Sequence, residues 1–360
     1  MVERIGIVTG GGDSPGLNTV IRAVVKAGAR RGWESIGFLG GYEGMLDPVQ
    51  SRRLDYHEMD SLLFRGGTIL GTSNRGRFSA KVGHGEVRRV PDEILEEALT
   101  NFKQIGLRAL VCIGGDGSLT IAQQLFEKGM PVVGIPKTID NDLDATIMTF
   151  GFETAVNCAV DALDRLHTTA ESHDRVMVLE VMGRYAGWIA AMAGLAGGAD
   201  VILIPEIPFD YPSIIARIGE RESYGKHFTI IIVAEGAREK EGDFVISSTD
   251  ETGEARLGGI GHVVAEEVQA RTGKETRAVV LGHLQRGGSP SAWDRQLCTR
   301  FGVSAVEQIA DENYGVMVAL TPSGIAPVEL VDAVDKIRTV PPDGEIVRVG
   351  RALGISFGSE

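Results

Sequence analysis

Short apolar runs alternate with amphipathic stretches along almost the whole chain. Runs of four to seven residues rich in Val and Ile predict strands near 4–9, 108–113, 131–135, 175–181, 200–204, 228–234, 277–282 and 316–320. Helical periodicity predicts helices near 18–31, 92–104, 118–128, 152–169, 185–195, 212–221, 260–272, 291–311 and 344–352. Strands apolar on both faces, alternating with helices, predict an α/β protein with mainly parallel, doubly wound sheets. Asn18 is expected to cap the first helix and Ser118 the third. The polar stretches 72–91 and 238–258 read as surface loops or hairpins. Between Trp188 and Phe209 the apolar residues are broken by Gly197, Gly198, Asp200, Pro205 and Pro208. They read as a buried helix and a buried strand, not as a membrane span.

A length of 360 residues fits about two domains, with a boundary near 150 and the chain crossing back after about 283. Two similar domains are expected, one of residues 1–150 plus about 284–335, the other of 151–283 plus about 336–360, packed across a cleft. The formal net charge of −13 argues against a nucleic-acid binder. An anionic substrate is still allowed, because local arginines can override the global field. Cys112, Cys158 and Cys298 are far apart and lack CxxC spacing, so no disulfide framework or zinc site is expected. Val2-Glu3-Arg4 leads straight into a strand-like run, which leaves no room for a signal peptide. A soluble, cytoplasmic protein is the expectation.

Glycine, at 48 residues, is about twice its usual share and is often clustered at strand ends. Two such clusters, Gly10-Gly11-Gly12-Asp13-Ser14-Pro15-Gly16 and Gly114-Gly115-Asp116-Gly117-Ser118, each follow an apolar run and precede a helical pattern. Bare backbone N–H groups, a helix N-terminus and a carboxylate then share one sheet edge, where phosphate and magnesium would bind. The spacing fits neither G-x-G-x-x-G nor G-x-x-x-x-G-K-[ST], which excludes a dinucleotide fold and a Walker-type loop. Phosphoryl transfer needs a metal, positive charge on the moving group and a carboxylate for the acceptor proton. Asp116 is placed to hold the metal directly or through water.

A third turn, Pro136-Lys137-Thr138-Ile139-Asp140-Asn141-Asp142, supplies the base. If the run is extended, Asp140 and Asp142 point to one side and repulsion keeps one of them basic. An Asx turn capping the helix after 151 is the plain structural alternative. Arg175, Arg184, Arg277 and Arg286 fall at strand ends and are expected at one shared edge, with Glu235 ending another strand. Such guanidinium groups suit a sugar phosphate.

On five segments the chain closely resembles the 6-phosphofructokinase family over nearly its whole length. These are Gly11-Gly12-Asp13-Ser14-Pro15-Gly16-Leu17-Asn18, Gly114-Gly115-Asp116-Gly117-Ser118, Thr138-Ile139-Asp140-Asn141-Asp142, Glu180-Val181-Met182-Gly183-Arg184 and Gly282-His283-Leu284-Gln285-Arg286-Gly287-Gly288. The resemblance implies two α/β domains with the active site in the cleft between them. It also implies Mg²⁺-dependent transfer of a phosphoryl group from ATP to the 1-hydroxyl of fructose 6-phosphate, in glycolysis. Asp140 matches the general base, with Thr138 and Asp142 in the same site and Arg184 at the reacting groups. Asp116 matches the magnesium aspartate. Gly11, Gly12, Gly117 and Ser118 would line the donor, and Arg75 matches a donor-contacting arginine, with Arg77 as an alternative alignment. Met182, Gly183, Arg184, Glu235, His283 and Arg286 match sugar-phosphate contacts. Arg175 and Arg277 match arginines that reach in from a neighbouring subunit, which implies a homo-oligomer, a dimer or tetramer.

The chain departs from the family at two places. ATP-using bacterial members share Gly117 but carry glycine in place of Lys137, whereas pyrophosphate-using members share the lysine but carry aspartate in place of Gly117. An open position 117 favours ATP, with pyrophosphate as the alternative donor and sedoheptulose 7-phosphate as an alternative acceptor. At the family's nucleotide-effector site Arg22 and Lys26 remain, but His167 and Tyr224 replace basic residues, so nucleotide activation is not expected.

Overall fold

A computed structural model describes residues 2–73, 76–78, 89–249 and 255–359. In chain order its strands are β1 (Arg4–Thr9), β2 (Glu34–Phe38), β3 (Ser51–Leu54), β4 (Leu107–Gly114), β5 (Val132–Pro136), β6 (Val176–Val181), β7 (Val201–Leu203), β8 (Thr229–Ala234), β9 (Ile246–Thr249), β10 (Ala255–Leu257), β11 (Thr276–Val280), β12 (Val316–Thr321) and β13 (Gly324–Glu329). Its helices are α1 (Leu17–Arg30), α2 (Asp92–Ile105), α3 (Asp116–Glu127), α4 (Phe152–His173), α5 (Trp188–Ala196), α6 (Tyr211–Ser223), α7 (Ile260–Thr272), α8 (Ala292–Ala310), α9 (Leu330–Val334) and α10 (Glu345–Ala352). The chain divides into two units, residues 1–139, 143–153 and 286–337 forming one, and 140–142, 154–285 and 338–360 the other.

In the first unit a seven-stranded sheet runs β13-β12-β5-β4-β1-β2-β3, antiparallel only at its two outer pairs. The last six residues of β4 are all buried, as a strand covered on both faces must be. α1 presents Leu17, Val20, Ile21 and Val24 to one face of the sheet, in a core shared with Leu297, Phe301 and Ala305 of α8. Leu119, Ala122 and Leu125 of α3 pack on the other face, with Leu95, Ala98 and Phe102 of α2. Gly302 lets α8 lie close on α1, since a Cβ there would stand 2.6 Å from that of Ala23.

The second unit carries an all-parallel sheet ordered β11-β6-β8-β7. Its core joins Val176, Val178, Ile231 and Val233 to Ile214 and Ile218 of α6 and to Val264 and Val268 of α7. β9 and β10 form a separate antiparallel hairpin inside the polar stretch 238–258.

The structure departs from the sequence expectation in two respects. β2, β3 and β13 lack continuous apolar runs, because they lie toward or at the edges of the sheet; β3 shows three exposed residues of four. Neither expected cap holds. α1 opens at Leu17 behind Gly16, and α3 opens at Asp116 behind Gly115. Asn18 instead donates to the carbonyls of Arg65 and Gly66 and accepts from the N–H of Ile69, pinning that loop to the helix. No helix among the described residues is long and apolar enough to cross a membrane.

Candidate active site

β1 and β4 are neighbours in parallel register, yet their following helices, α1 and α3, leave to opposite faces of the sheet. Such a divergence opens a crevice at the carboxyl ends of the strands, the usual ligand position in this architecture. Both glycine turns fall there. The N–H of Gly10 donates to the Ile113 carbonyl at 2.9 Å. A Cβ on Gly10 would sit on the Ser118 side chain. Gly16 has φ 107, and a Cβ there would stand 2.6 Å from Cys298 Sγ, so neither conformation nor space admits a larger residue.

Lys137, at the start of the third turn, joins the same edge from β5. Lys137 donates its backbone N–H to the Gly114 carbonyl at 2.8 Å and its ammonium to the Gly12 carbonyl at 2.6 Å. Its side chain is almost wholly buried, so the charge is held against the glycine turn rather than in solvent. Arg286 approaches from the start of the segment leading to α8, and its Nη1 donates to the Asp13 carbonyl at 3.1 Å. Gly12, Lys137 and Arg286 therefore assemble two cations beside bare backbone. Asp116 opens α3 half-buried, with Gly117 beside it in the first turn. The Tyr42 hydroxyl donates to the Ser118 carbonyl and fixes that turn from below. Cys112 lies under it as a small apolar filler, and burial pushes its thiol up to about 12.

Arg75, expected at the donor, lies outside the described residues. The alternative, Arg77, forks onto Glu97, with contacts of 2.5 and 3.1 Å.

Asp140 and Asp142 are half-buried around a buried Asn141. Asn141 has φ 52, so the run is not extended, and the condition under which the two carboxylates would point to one side is not met. Asparagine is among the few residues that adopt this left-handed conformation readily. Thr138 belongs to the first unit, where its carbonyl accepts from Thr149 Oγ1 at 2.7 Å.

In the second unit three turns meet at the carboxyl ends of β6, β8 and β11. Glu235 N–H donates to the Val181 carbonyl, and Gly236 N–H to that of Gly183. Gly183 has φ 135, and a Cβ on Gly236 would collide with the Arg184 carbonyl. Met182 N–H donates at 2.8 Å to Oε1 of Gln285, a buried side chain between the exposed His283 and the half-buried Arg286. Met182, Gly183, Arg184, Glu235 and His283 are thus brought to one edge. Glu180 is taken up structurally: its carboxylate accepts from Gly259 and Gly261 N–H and neutralises the N-terminus of α7.

The four arginines do not share that edge. Arg175 precedes β6 and Arg277 pairs with Met177, so both lie at the amino ends of their strands, opposite Arg184. β6 has six residues, about 20 Å at the usual rise. Glu275 holds both guanidinium groups, at 2.8 Å from Arg175 Nε and 2.6 Å from Arg277 Nη2. Of the residues assigned to the effector positions, Lys26 pairs with Asp60 and stacks on Tyr56 in the first unit; in the second, His167 bonds the Gly197 carbonyl and Tyr224 stands 75% exposed.

Sequence reasoning missed Gln285, which lies inside a quoted segment, and it missed Trp188, Glu206 and Arg338. Trp188 Nε1 donates to the Arg338 carbonyl, and Glu206 accepts from Gly187 and Val340 N–H. Only Gln285 carried a local signal, a neutral amide between two substrate-type residues.

The phosphofructokinase family model matches residues 4–309. The chain is 52% identical over 363 residues to the ATP-dependent 6-phosphofructokinase of Chloroflexus aurantiacus, covering 99% of this chain and 98% of that one. It is also 50% identical over 343 residues to the pyrophosphate–fructose 6-phosphate 1-phosphotransferase of Amycolatopsis methanolica, covering 94% and 97%. Among solved structures, Pichia pastoris phosphofructokinase superposes with a TM-score of 0.81 at 31% identity, over 93% of this chain and 36% of that longer one.

Proposed function

Because the chain belongs to the phosphofructokinase family, we propose that it transfers the γ-phosphoryl group of ATP to the 1-hydroxyl of fructose 6-phosphate. The product is fructose 1,6-bisphosphate, and the reaction belongs to glycolysis in the cytoplasm. The observation that carries this reading is the meeting of three turns, with Lys137 and Arg286, beside the α3 N-terminus. Bare N–H groups, a helix N-terminus and two cations suit a polyphosphate and little else.

Donor phosphates lie along Gly11, Gly12, Gly117 and Ser118 in this scheme. Asp116 fits magnesium, which uses one or two carboxylates together with substrate phosphates and water. Asp116 would hold the ion directly or through water, and the bound ion would supply positive charge to the donor phosphates. Asp140 accepts the proton of the 1-hydroxyl as the sugar oxygen bonds to the γ-phosphorus, while the bond from that phosphorus to the β,γ-bridging oxygen breaks and ADP leaves. Arg184 neutralises the moving group, while Thr138, Asp142, Met182, Gly183, Glu235, His283 and Arg286 hold the sugar phosphate. The test is product identity by phosphorus NMR with Mg²⁺-ATP and either fructose 6-phosphate or sedoheptulose 7-phosphate. A 1-phosphate on fructose 6-phosphate, formed with the higher kcat/KM, is expected; a preference for the seven-carbon sugar would reassign the acceptor.

Arg175 and Arg277 sit a strand length from their own sugar-phosphate edge, which supports their serving a second copy. β11 supports this too: it is an edge strand with Val279 and Val280 exposed, a surface that favours pairing. A homo-oligomer with shared sites is therefore proposed. Co-expression of Asp140→Asn and Arg277→Ala chains, each nearly inactive alone, is expected to restore activity. In a mixed pair one site then receives both intact residues. A mixture no more active than its parts would show that each chain works alone.

A further inference from the structure

The reaction requires the Asp140 turn to stay in place, and one segment of the second unit is built to hold it. The backbone of residues 338–340 is bonded on one side to the aspartate turn and on the other to the start of α5. Arg338 N–H donates to the Asp142 carbonyl at 2.8 Å. The Arg338 carbonyl accepts from Trp188 Nε1 at 3.0 Å, and its guanidinium lies over the same indole, 4.5 Å from the ring centroid. Two residues on, Val340 N–H donates to Glu206 Oε1 at 2.7 Å, and that oxygen also accepts from Gly187 N–H at 2.9 Å. Residues 187 and 188 follow directly on Met182-Gly183-Arg184 and the short turn after it.

From this arrangement we infer that Trp188, acting through the backbone of Arg338, is a positioning residue that holds the Asp140–Asp142 turn in register with the Arg184 loop. The inference rests on the reading of Asp140 as the base. A residue held left-handed, as Asn141 is, persists only when its surroundings fix it. An indole that holds the Arg338 carbonyl through its N–H and the Arg338 guanidinium on its face restricts that residue to one orientation, and hence the N–H that the Asp142 carbonyl accepts. Phenylalanine keeps the face and removes the donor.

Hydrogen exchange in the unmodified protein is measured first. The Arg338 amide is expected to exchange slowly, and fast exchange there would already overturn the inference. In Trp188→Phe that amide is expected to exchange faster, and kcat to fall about tenfold, the scale of one lost hydrogen bond at the reacting groups. KM for both substrates is expected to stay within about twofold. In an Asp140→Asn background Trp188→Phe is expected to cost nothing further, because the residue it positions no longer acts as a base. An unchanged kcat, or a loss that multiplies with that of Asp140→Asn, would overturn the inference. Should Asp140→Asn alone keep full turnover, the base assignment fails, while the exchange result still reports on the strap. If Trp188→Phe does not fold, Trp188→Leu, which also carries no donor, is read against the same outcomes.

Discussion

Asp140→Asn is expected to lower kcat by about 10²–10⁴-fold, the usual share of a general base, with KM for ATP and fructose 6-phosphate little changed. The substitution keeps the size and hydrogen-bonding shape of the side chain and removes only its ability to take a proton. Its surroundings make the result interpretable. Asn141 is buried in its left-handed turn and the next residue, Asp142, is tied through its carbonyl to Arg338, so the backbone has little reason to move. Steady-state rates over a range of pH check the point. In the parent, kcat is expected to fall on the acid side as the base is protonated; in the variant that limb is expected to vanish along with most of the rate. A variant turning over close to the parent would remove Asp140 from the chemistry.

The second large effect is expected at Gly117. It stands in the first turn of α3, where N–H groups and the helix dipole favour a phosphate. Aspartate there would set a carboxylate against the nucleotide α-phosphate, both in bulk and in charge. Two unit charges about 4 Å apart at an effective dielectric of about 20 repel by about 4 kcal/mol. Gly117→Asp is therefore expected to cut kcat/KM for ATP by at least about 100-fold. Pyrophosphate has no group at that position, so its use should survive or rise. Lys137 does not separate the donors, since an ammonium held at the Gly12 carbonyl can meet a terminal phosphate of either. Parallel kinetics with both donors on parent and variant check this. An equal loss with both would mean that position 117 only supports the helix.

Much of this arrangement is legible in the sequence, for physical reasons. β1, β4, β5, β6 and β8 are covered on both faces and so carry nearly unbroken apolar runs, which marks them plainly. The glycine turns are legible because close backbone approach at Gly10 and positive φ at Gly16 leave no other residue possible. Edge strands such as β3 and β13 satisfy half their polar groups elsewhere and need no such pattern. The split of the arginines is readable in principle: a six-residue strand between Arg175 and Met182 must carry Arg175 and Arg184 to opposite edges. The bond from Trp188 to Arg338 joins residues 150 apart in the chain, and no local pattern encodes it. The same holds for Lys137 and Gly12, 125 apart, whose hydrogen bond ties the end of β5 to the first glycine turn.

The proposed reaction is ATP-dependent phosphorylation of fructose 6-phosphate. It is tested most directly by the initial rate of the unmodified protein at saturating fructose 6-phosphate and Mg²⁺, with ATP and with pyrophosphate in separate reactions, and fructose 1,6-bisphosphate as the measured product. The expected result is turnover with ATP well above that with pyrophosphate. Pyrophosphate outperforming ATP, or no fructose 1,6-bisphosphate from either donor, would contradict it.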